Sequence, residues 1–167
     1  MYLYYLYEFF RICPIILVFE SALLAIALQN NLFCWFIVIG IIFNGIIWFI
    51  LVKLFKKYKP DWSERPNRMH CSYIETNKPI TQGGLPSGHC QTIGFFVMWI
   101  LLGLIINDTS LLITIPLIVL LFWITWMMMY SRAVYFKCHT WYQAITGITV
   151  GMVSTVPLLC IYLMIID

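Results

Sequence analysis

Charge is what this chain has least of. Ten Lys or Arg and seven Asp or Glu make up 10% of its 167 residues, against 62% hydrophobic residues and a mean hydropathy of +0.90. A soluble globular domain carries about 25% charged and about 45–50% apolar residues. The shortage excludes a water-soluble enzyme with a private core, a disordered tail and a nucleic-acid binder, because each needs a polar or charged exterior. Other things are missing too. The first eleven residues lack the basic n-region of a signal peptide and are rich in Tyr and Phe instead. There is no Cys-x-x-Cys, no histidine pair, no internal repeat and no low-complexity tract. Residues 1–167 therefore read as one domain.

What is present is a set of long uncharged runs. With about 20 apolar residues needed per helical crossing, crossings are expected at about 12–29, 32–52, 88–106, 111–130 and 140–166. The predicted fold is an all-α, polytopic transmembrane bundle of about five crossings. A short interfacial helix at the N-terminus is expected to lead into the first, its aromatic rings at headgroup level. Five crossings put the N-terminus, the loop 53–87 and the loop 131–139 on one side. All ten basic residues fall there, which predicts a cytoplasmic orientation for that side. The sequon Asn107-Asp108-Thr109 lies opposite, too close to two helices to be expected to carry a glycan. Glu20, a carboxylate within the first crossing, is expensive there and is expected to bond Asn44 or a threonine, with a functional role as the alternative.

Of the six cysteines only Cys71 and Cys138 fall in loops. Buried cysteine usually serves as a small apolar residue. The pairs His70-Cys71 and Cys138-His139 raise zinc as an alternative, but the spacing is not that of a zinc site.

Polar residues gather in two places. Pro86-Ser87-Gly88-His89 runs directly into an apolar helix. Free N–H groups and the helix dipole there make an anion site, and glycine lets a ligand approach the backbone. After the fourth run comes Ser131-Arg132, then His139 and Gln143, four apart and stacked on one helix face. A glutamine carbonyl can accept the imidazole Nδ1–H and leave Nε2 with its lone pair. Each cluster alone also reads as a helix cap or an interfacial anchor. Together, with Arg65-Pro66, they bring two histidines and several cations to one mouth. Few carboxylates accompany them: Glu8, Asp61, Glu64 and Glu75. Two-metal phosphatases need several Asp or Glu ligands, so metal-free phosphoryl chemistry fits better, with no cofactor.

The order Arg65-Pro66, Pro86-Ser87-Gly88-His89, then Ser131-Arg132…His139 with Gln143 resembles the type 2 phosphatidic acid phosphatase (PAP2) superfamily of membrane lipid phosphatases, whose helical bundle is shared with vanadium haloperoxidases. Residues 84–91 and 139–143 are most similar to its dolichyl diphosphatase branch. The short form also resembles copies found in large DNA viruses. The motifs cover about a third of the chain.

The resemblance implies that His139 attacks phosphorus and forms a phosphohistidine, that His89 protonates the departing oxygen, and that Gln143 orients the His139 ring. Lys53, Arg65, Ser87, Gly88 and Arg132 would hold the phosphate. It also implies a lipid phosphate or diphosphate as substrate, polyprenyl or dolichyl diphosphate first and phosphatidic acid second, in an ER-like or viral membrane, with a lumenal site if the branch holds. The cations are expected to keep His139 neutral, and Gln143→Glu to retain or raise activity. Two departures stand out. The lysine position of the first motif is Tyr58 here; Lys53 matches if residues are inserted, with Lys57 as the second candidate. The stretch from Arg132 to His139 is one residue too long, which a bulge at the helix end would absorb. The alternative reading is a catalytically weak relative that binds anionic lipid or a membrane partner.

Overall fold

The computed structural model describes residues 2–27, 31–67, 71, 83–106 and 110–166. The expected turn at Gln29-Asn30, His70, the whole stretch 72–82 with Glu75, and the sequon Asn107-Asp108-Thr109 lie outside them. Among the described residues all regular structure is helical: α1 (Tyr2–Ala27), α2 (Asn31–Tyr58), the short α3 (Pro60–Ser63), α4 (Gly88–Ile106), α5 (Leu111–Tyr130), a π-helical turn (Ser131–Tyr135) and α6 (Trp141–Ile166). Spans within α2, α4, α5 with its π turn, and α6 are long and apolar enough to cross a membrane. The expected all-α membrane bundle is what the chain forms.

The first element differs from expectation. The N-terminal aromatic stretch is no separate interfacial helix but the start of one continuous α1, 26 residues and so about 39 Å long. Tyr7 stacks on Tyr135 at 4.1 Å between centroids and on Tyr130 at 6.1 Å, so this end of α1 is held by the π turn. Four spans are identified among the described residues; α1, expected as the first of five crossings, carries Glu8, Arg11 and Glu20, and much of its C-terminal part lies outside the side chains described.

Apolar residues ring the helices because their outer solvent is hydrocarbon. Leu112, Ile113, Val119 and Phe122 of α5 are exposed, while only Leu121 and Met128 of that helix are buried. Lipid tails are as apolar as leucine, so helices here are joined by close packing and hydrogen bonds instead of by release from water. Helix α4 is the centre of that packing. Its Cys90, Ile93 and Val97 meet Phe10 and Cys13 of α1 and Leu121 and Met128 of α5. Against α6 the backbones themselves touch. A Cβ on Gly94 would strike the Ile148 carbonyl, one on Gly151 the Gln91 carbonyl, and one on Gly147 would lie 2.6 Å from the Ser87 oxygen. Only glycine fits these positions.

A buried polar trio ties α2 to this seam. Gln91 Nε2 donates to Asn44 Oδ1 (2.8 Å) and to the Asn44 backbone carbonyl (2.9 Å), and Ser154 Oγ donates to the same Oδ1 (3.2 Å). Asn44 is thus engaged by α4 and α6 and not by Glu20, whose side chain is exposed. The expected Glu20–Asn44 bond does not form.

Candidate active site

The segments between helices are drawn together over one end of the bundle. Cys71 and Cys138, 67 residues apart, form a disulfide with a Cα–Cα separation of 5.5 Å. Asn67 donates to the Phe136 carbonyl (3.2 Å), Gly84 N–H to the Ser63 carbonyl (2.6 Å), and Ser87 N–H to the Gln143 carbonyl (3.1 Å). The disulfide replaces both earlier readings of these two cysteines, as inert apolar residues or as zinc ligands. The available signal was their shared side of the membrane and their place as the two loop cysteines.

His139 lies between the π turn and α6, and is buried. Its Nδ1 is 2.9 Å from the Gly84 carbonyl, and its Nε2 is 2.9 Å from Nη1 of Arg65. A carbonyl only accepts and a guanidinium only donates. The proton therefore sits on Nδ1, and the Nε2 lone pair faces Arg65. The same guanidinium donates from Nη2 to the Gly83 carbonyl (3.1 Å). Burial is the first reason that the His139 pKa lies well below the ordinary 6.5, with the Arg65 and Arg132 charges next. The cations act in the expected direction, but loss of water is the larger cause.

Gln143 does more than the expected task. His139 Nδ1 donates to the Gly84 carbonyl, and a side-chain hydrogen bond between the ring and Gln143 acts in the same direction. Its Nε2 donates to the Trp62 carbonyl (2.7 Å) and the Glu64 carbonyl (2.8 Å), while Oε1 accepts from Thr140 N–H (3.2 Å). Gln143 thus clamps the backbone that delivers Arg65. Gly84 must come close for this: a Cβ there would stand 2.8 Å from Gln143 Oε1 and 2.9 Å from Arg65 Cγ. The sequence reading missed the role of Gly84, whose signal was the Gly-Gly pair before Leu85-Pro86.

His89 is buried in the first turn of α4, with a hydrogen bond to the Arg11 backbone carbonyl and with Arg132, His139 and Arg65 in electrostatic reach. Arg132 is fully buried. Its Nη2 donates to the Cys71 carbonyl (2.7 Å), and its guanidinium lies over the Phe136 ring at 5.5 Å. The residue too many before His139 is taken up by the five-residue π turn Ser131–Tyr135. After it, the Arg132 carbonyl accepts from both Cys138 and His139 N–H groups (2.9 and 3.2 Å). Ser87 is buried at the start of α4, its carbonyl accepting from Gln91 N–H (2.9 Å). Gly88 faces Trp48, whose indole donates to the Pro86 carbonyl (3.1 Å).

Lys53 is not brought to this group. The inward face of α2 runs through Asn44, Trp48 and Val52, and the next residue is turned by about 100°. Lys53 is exposed, with Nζ 4.1 Å from the centroid of Phe49, and does not line the cavity that holds the histidines. Lys57 is exposed also, over the Tyr58 ring.

Arg65, Gly88, His89 and His139 line one end of a single cavity of about 410 Å³. Among the described residues no carboxylate lines it, and no three His, Cys, Asp or Glu side chains cluster as metal ligands would. Buried arginines beside the N-terminus of a helix suit a strong anion such as phosphate. The fold and the site together define a multi-pass helical membrane protein with a two-histidine anion pocket. The family model of the PAP2 superfamily matches residues 32–166, and the chain belongs to that superfamily. Its members are generally phosphatases, which supports a phosphoric ester hydrolase in the membrane. No curated protein and no solved structure matches the chain.

Proposed function

We propose that this protein hydrolyses a lipid phosphate or diphosphate through a phosphohistidine formed at Nε2 of His139. The observation that carries the reading is the Arg65–His139 contact: a neutral imidazole with its lone pair fixed toward a buried guanidinium. A phosphate drawn to Arg65 and Arg132 arrives in front of that lone pair. As the N–P bond forms, the P–O bond to the leaving group breaks, and its electron pair takes a proton from His89. His89 enters this step carrying its proton. Water then attacks phosphorus, the N–P electrons return to Nε2, and His89 receives the proton released by the water. Phosphoryl transfer asks mainly for positioning and charge stabilisation, which two arginines, the Gly88 N–H and the α4 dipole supply. With no carboxylate among the described residues of the cavity lining, the reaction is proposed to need no metal. Polyprenyl or dolichyl diphosphate and phosphatidic acid are the two substrate classes, and residues 84–91 and 139–143 support the dolichyl diphosphatase branch.

Orientation follows from opposing observations. The basic residues favour a cytoplasmic site. The Cys71–Cys138 disulfide supports an oxidising side, such as the lumen of an endomembrane. We adopt the second, because phosphate chemistry explains buried Arg65 and Arg132 without any topological role.

The alternative is a weakly active or inactive relative that binds anionic lipid, and the removal of Lys53 from the site favours it. Phosphate release by the purified chain from both lipids, with EDTA present and beside His139→Ala, separates the two. Release that survives EDTA and is lost in the variant supports the hydrolase. Lipid binding without release supports the alternative.

A further inference from the structure

Beyond the histidines the cavity continues between α1, α2 and α4, and its wall turns apolar: Pro14, Ile15 and Val18 from α1, Ile41 from α2, and Phe95 from α4. From His89 to Phe95 this stretch runs about 9 Å along α4. Two polar side chains interrupt it. Thr92 spends its hydroxyl on the Gly88 carbonyl (3.1 Å). Asn44 does not dispose of its amide so simply.

The orientation of the Asn44 amide is fixed by its neighbours. Gln91 points one group at both the Asn44 backbone carbonyl and the Asn44 side chain. A backbone carbonyl only accepts, so that group is the Gln91 nitrogen, and the Asn44 atom facing it is the oxygen. The Ser154 hydroxyl, 2.8 Å from the Gly151 carbonyl, shares its proton with the same oxygen at 3.2 Å. The amide nitrogen is then the polar atom that Asn44 leaves accessible to the cavity. Hydrocarbon packed against an N–H₂ group leaves a donor unsatisfied, whereas a carbonyl at that depth pairs with it. Gln91 is two residues beyond His89, so this donor stands about 3 Å further along α4 than the histidine. The first acceptors past the phosphate of an ester-linked glycerolipid are its ester carbonyls, a few bonds away. An isoprenoid tail has none at any depth. The next residue of α2, Gly45, is exposed, and a Cβ there would meet nothing within 4 Å, so a tail has an open way to the bilayer beside Asn44.

We infer that Asn44 is a specificity-determining residue, whose side-chain N–H₂ donates a hydrogen bond to an ester carbonyl of the lipid and so favours an ester-linked glycerolipid phosphate over ether or isoprenoid lipids with the same head group, reversing the order of substrates that the motif resemblance implies. This rests on the reading that the cavity takes a lipid phosphate.

The test is displacement of a fluorescent lipid phosphate from the full chain in detergent micelles by a diacylglycerol phosphate and by its dialkyl ether analogue of equal chain length. Phosphate release from each is followed in parallel. One neutral hydrogen bond predicts that the native chain prefers the diester about threefold to tenfold. Asn44→Leu should bring the ratio to about one without weakening the ether. Equal displacement in the native chain overturns the inference, whether or not the variant folds, and so does an unchanged preference in a folded Asn44→Leu. Selective displacement with no phosphate release sinks the hydrolase reading and leaves the inference standing. No displacement by any lipid phosphate overturns both.

Discussion

Arg65 Nη1 donates to Nε2 of His139 at 2.9 Å, so the lone pair proposed to attack phosphorus is held by the cation proposed to bind phosphate. The two roles are coupled. Attack requires a phosphate oxygen to take over the guanidinium, which turns it from Nε2 and exposes the lone pair. The Gly84 carbonyl meanwhile keeps the proton on Nδ1.

Arg65→Lys should therefore lose more than charge. A lysine cannot reach Gly83 and Nε2 at once with a planar fork. Removing a positioned donor from a transition state typically costs about 10²–10³ in kcat. We expect at least a hundredfold fall in phosphate release with unchanged thermal unfolding. Activity within a few-fold of native would show that point charge alone suffices.

His139 is held neutral by burial and then by Arg65 and Arg132. Its loss of activity toward acid should accordingly begin well below pH 6.5, and Arg132→Gln should move that limb upward. Stability carries the same sign. The unfolded chain takes a proton near 6.5 that folded His139 refuses, so this group costs stability as pH falls through that value. A kcat/KM profile from pH 4.5 to 8 for both proteins checks the limb, and thermal unfolding across the same range checks the linkage.

Gln143→Glu should be damaging, contrary to what motif comparison suggests. A carboxylate would replace two donated hydrogen bonds by repulsion from the Trp62 and Glu64 carbonyls. The Trp62 carbonyl keeps the Tyr142 hydroxyl, but the Glu64 carbonyl loses the Gln143 amide, and a polar group left unsatisfied where it is shielded from water costs about 1–3 kcal/mol. Both a lower unfolding temperature and at least a tenfold loss of activity are expected. A fully active, stable variant would show that the Arg65 segment holds its place without this clamp.

Reducing Cys71–Cys138 should weaken the site as well as the fold. A closed loop of 67 residues contributes about 4 kcal/mol in the chain-entropy account. The bridge also places the Cys71 carbonyl that receives Arg132. Dithiothreitol, or Cys71→Ser, should lower phosphate release about tenfold or more, since a hydrogen bond from a charged donor is worth about 1.5–3 kcal/mol. Full activity after thiol labelling has confirmed reduction would sever the bridge from the chemistry.

The membrane bundle was legible because long uncharged runs leave few alternatives, and the two histidine motifs were legible as short local strings. What the string hides is how distant backbone segments meet. Spacing made Gln143 a partner of His139, since both were expected at the head of one helix; what spacing could not show is that its amide nitrogen also clamps the backbone of 62–64. Lys53 looked suitable by position in the chain, yet helix phase turns it from the inward line of Asn44, Trp48 and Val52. The π turn answered a spacing problem that the sequence could pose but not resolve. Cys71 and Cys138 were each visible; their pairing depends on contacts across the chain that no local pattern carries.

The touching backbones of α4 and α6 have a mechanical meaning. His89 begins one of these helices and His139 immediately precedes the other, and Gly94, Gly147 and Gly151 leave no side-chain layer between them to compress or slide. The proposed acid and nucleophile thus ride on one stiff jaw. The opposite wall, α1 and α2, joins that jaw through side chains and lines the apolar end of the cavity. Stretching or thickening the surrounding lipid should shift this compliant wall first, altering which tails fit while leaving the spacing of the two imidazoles alone.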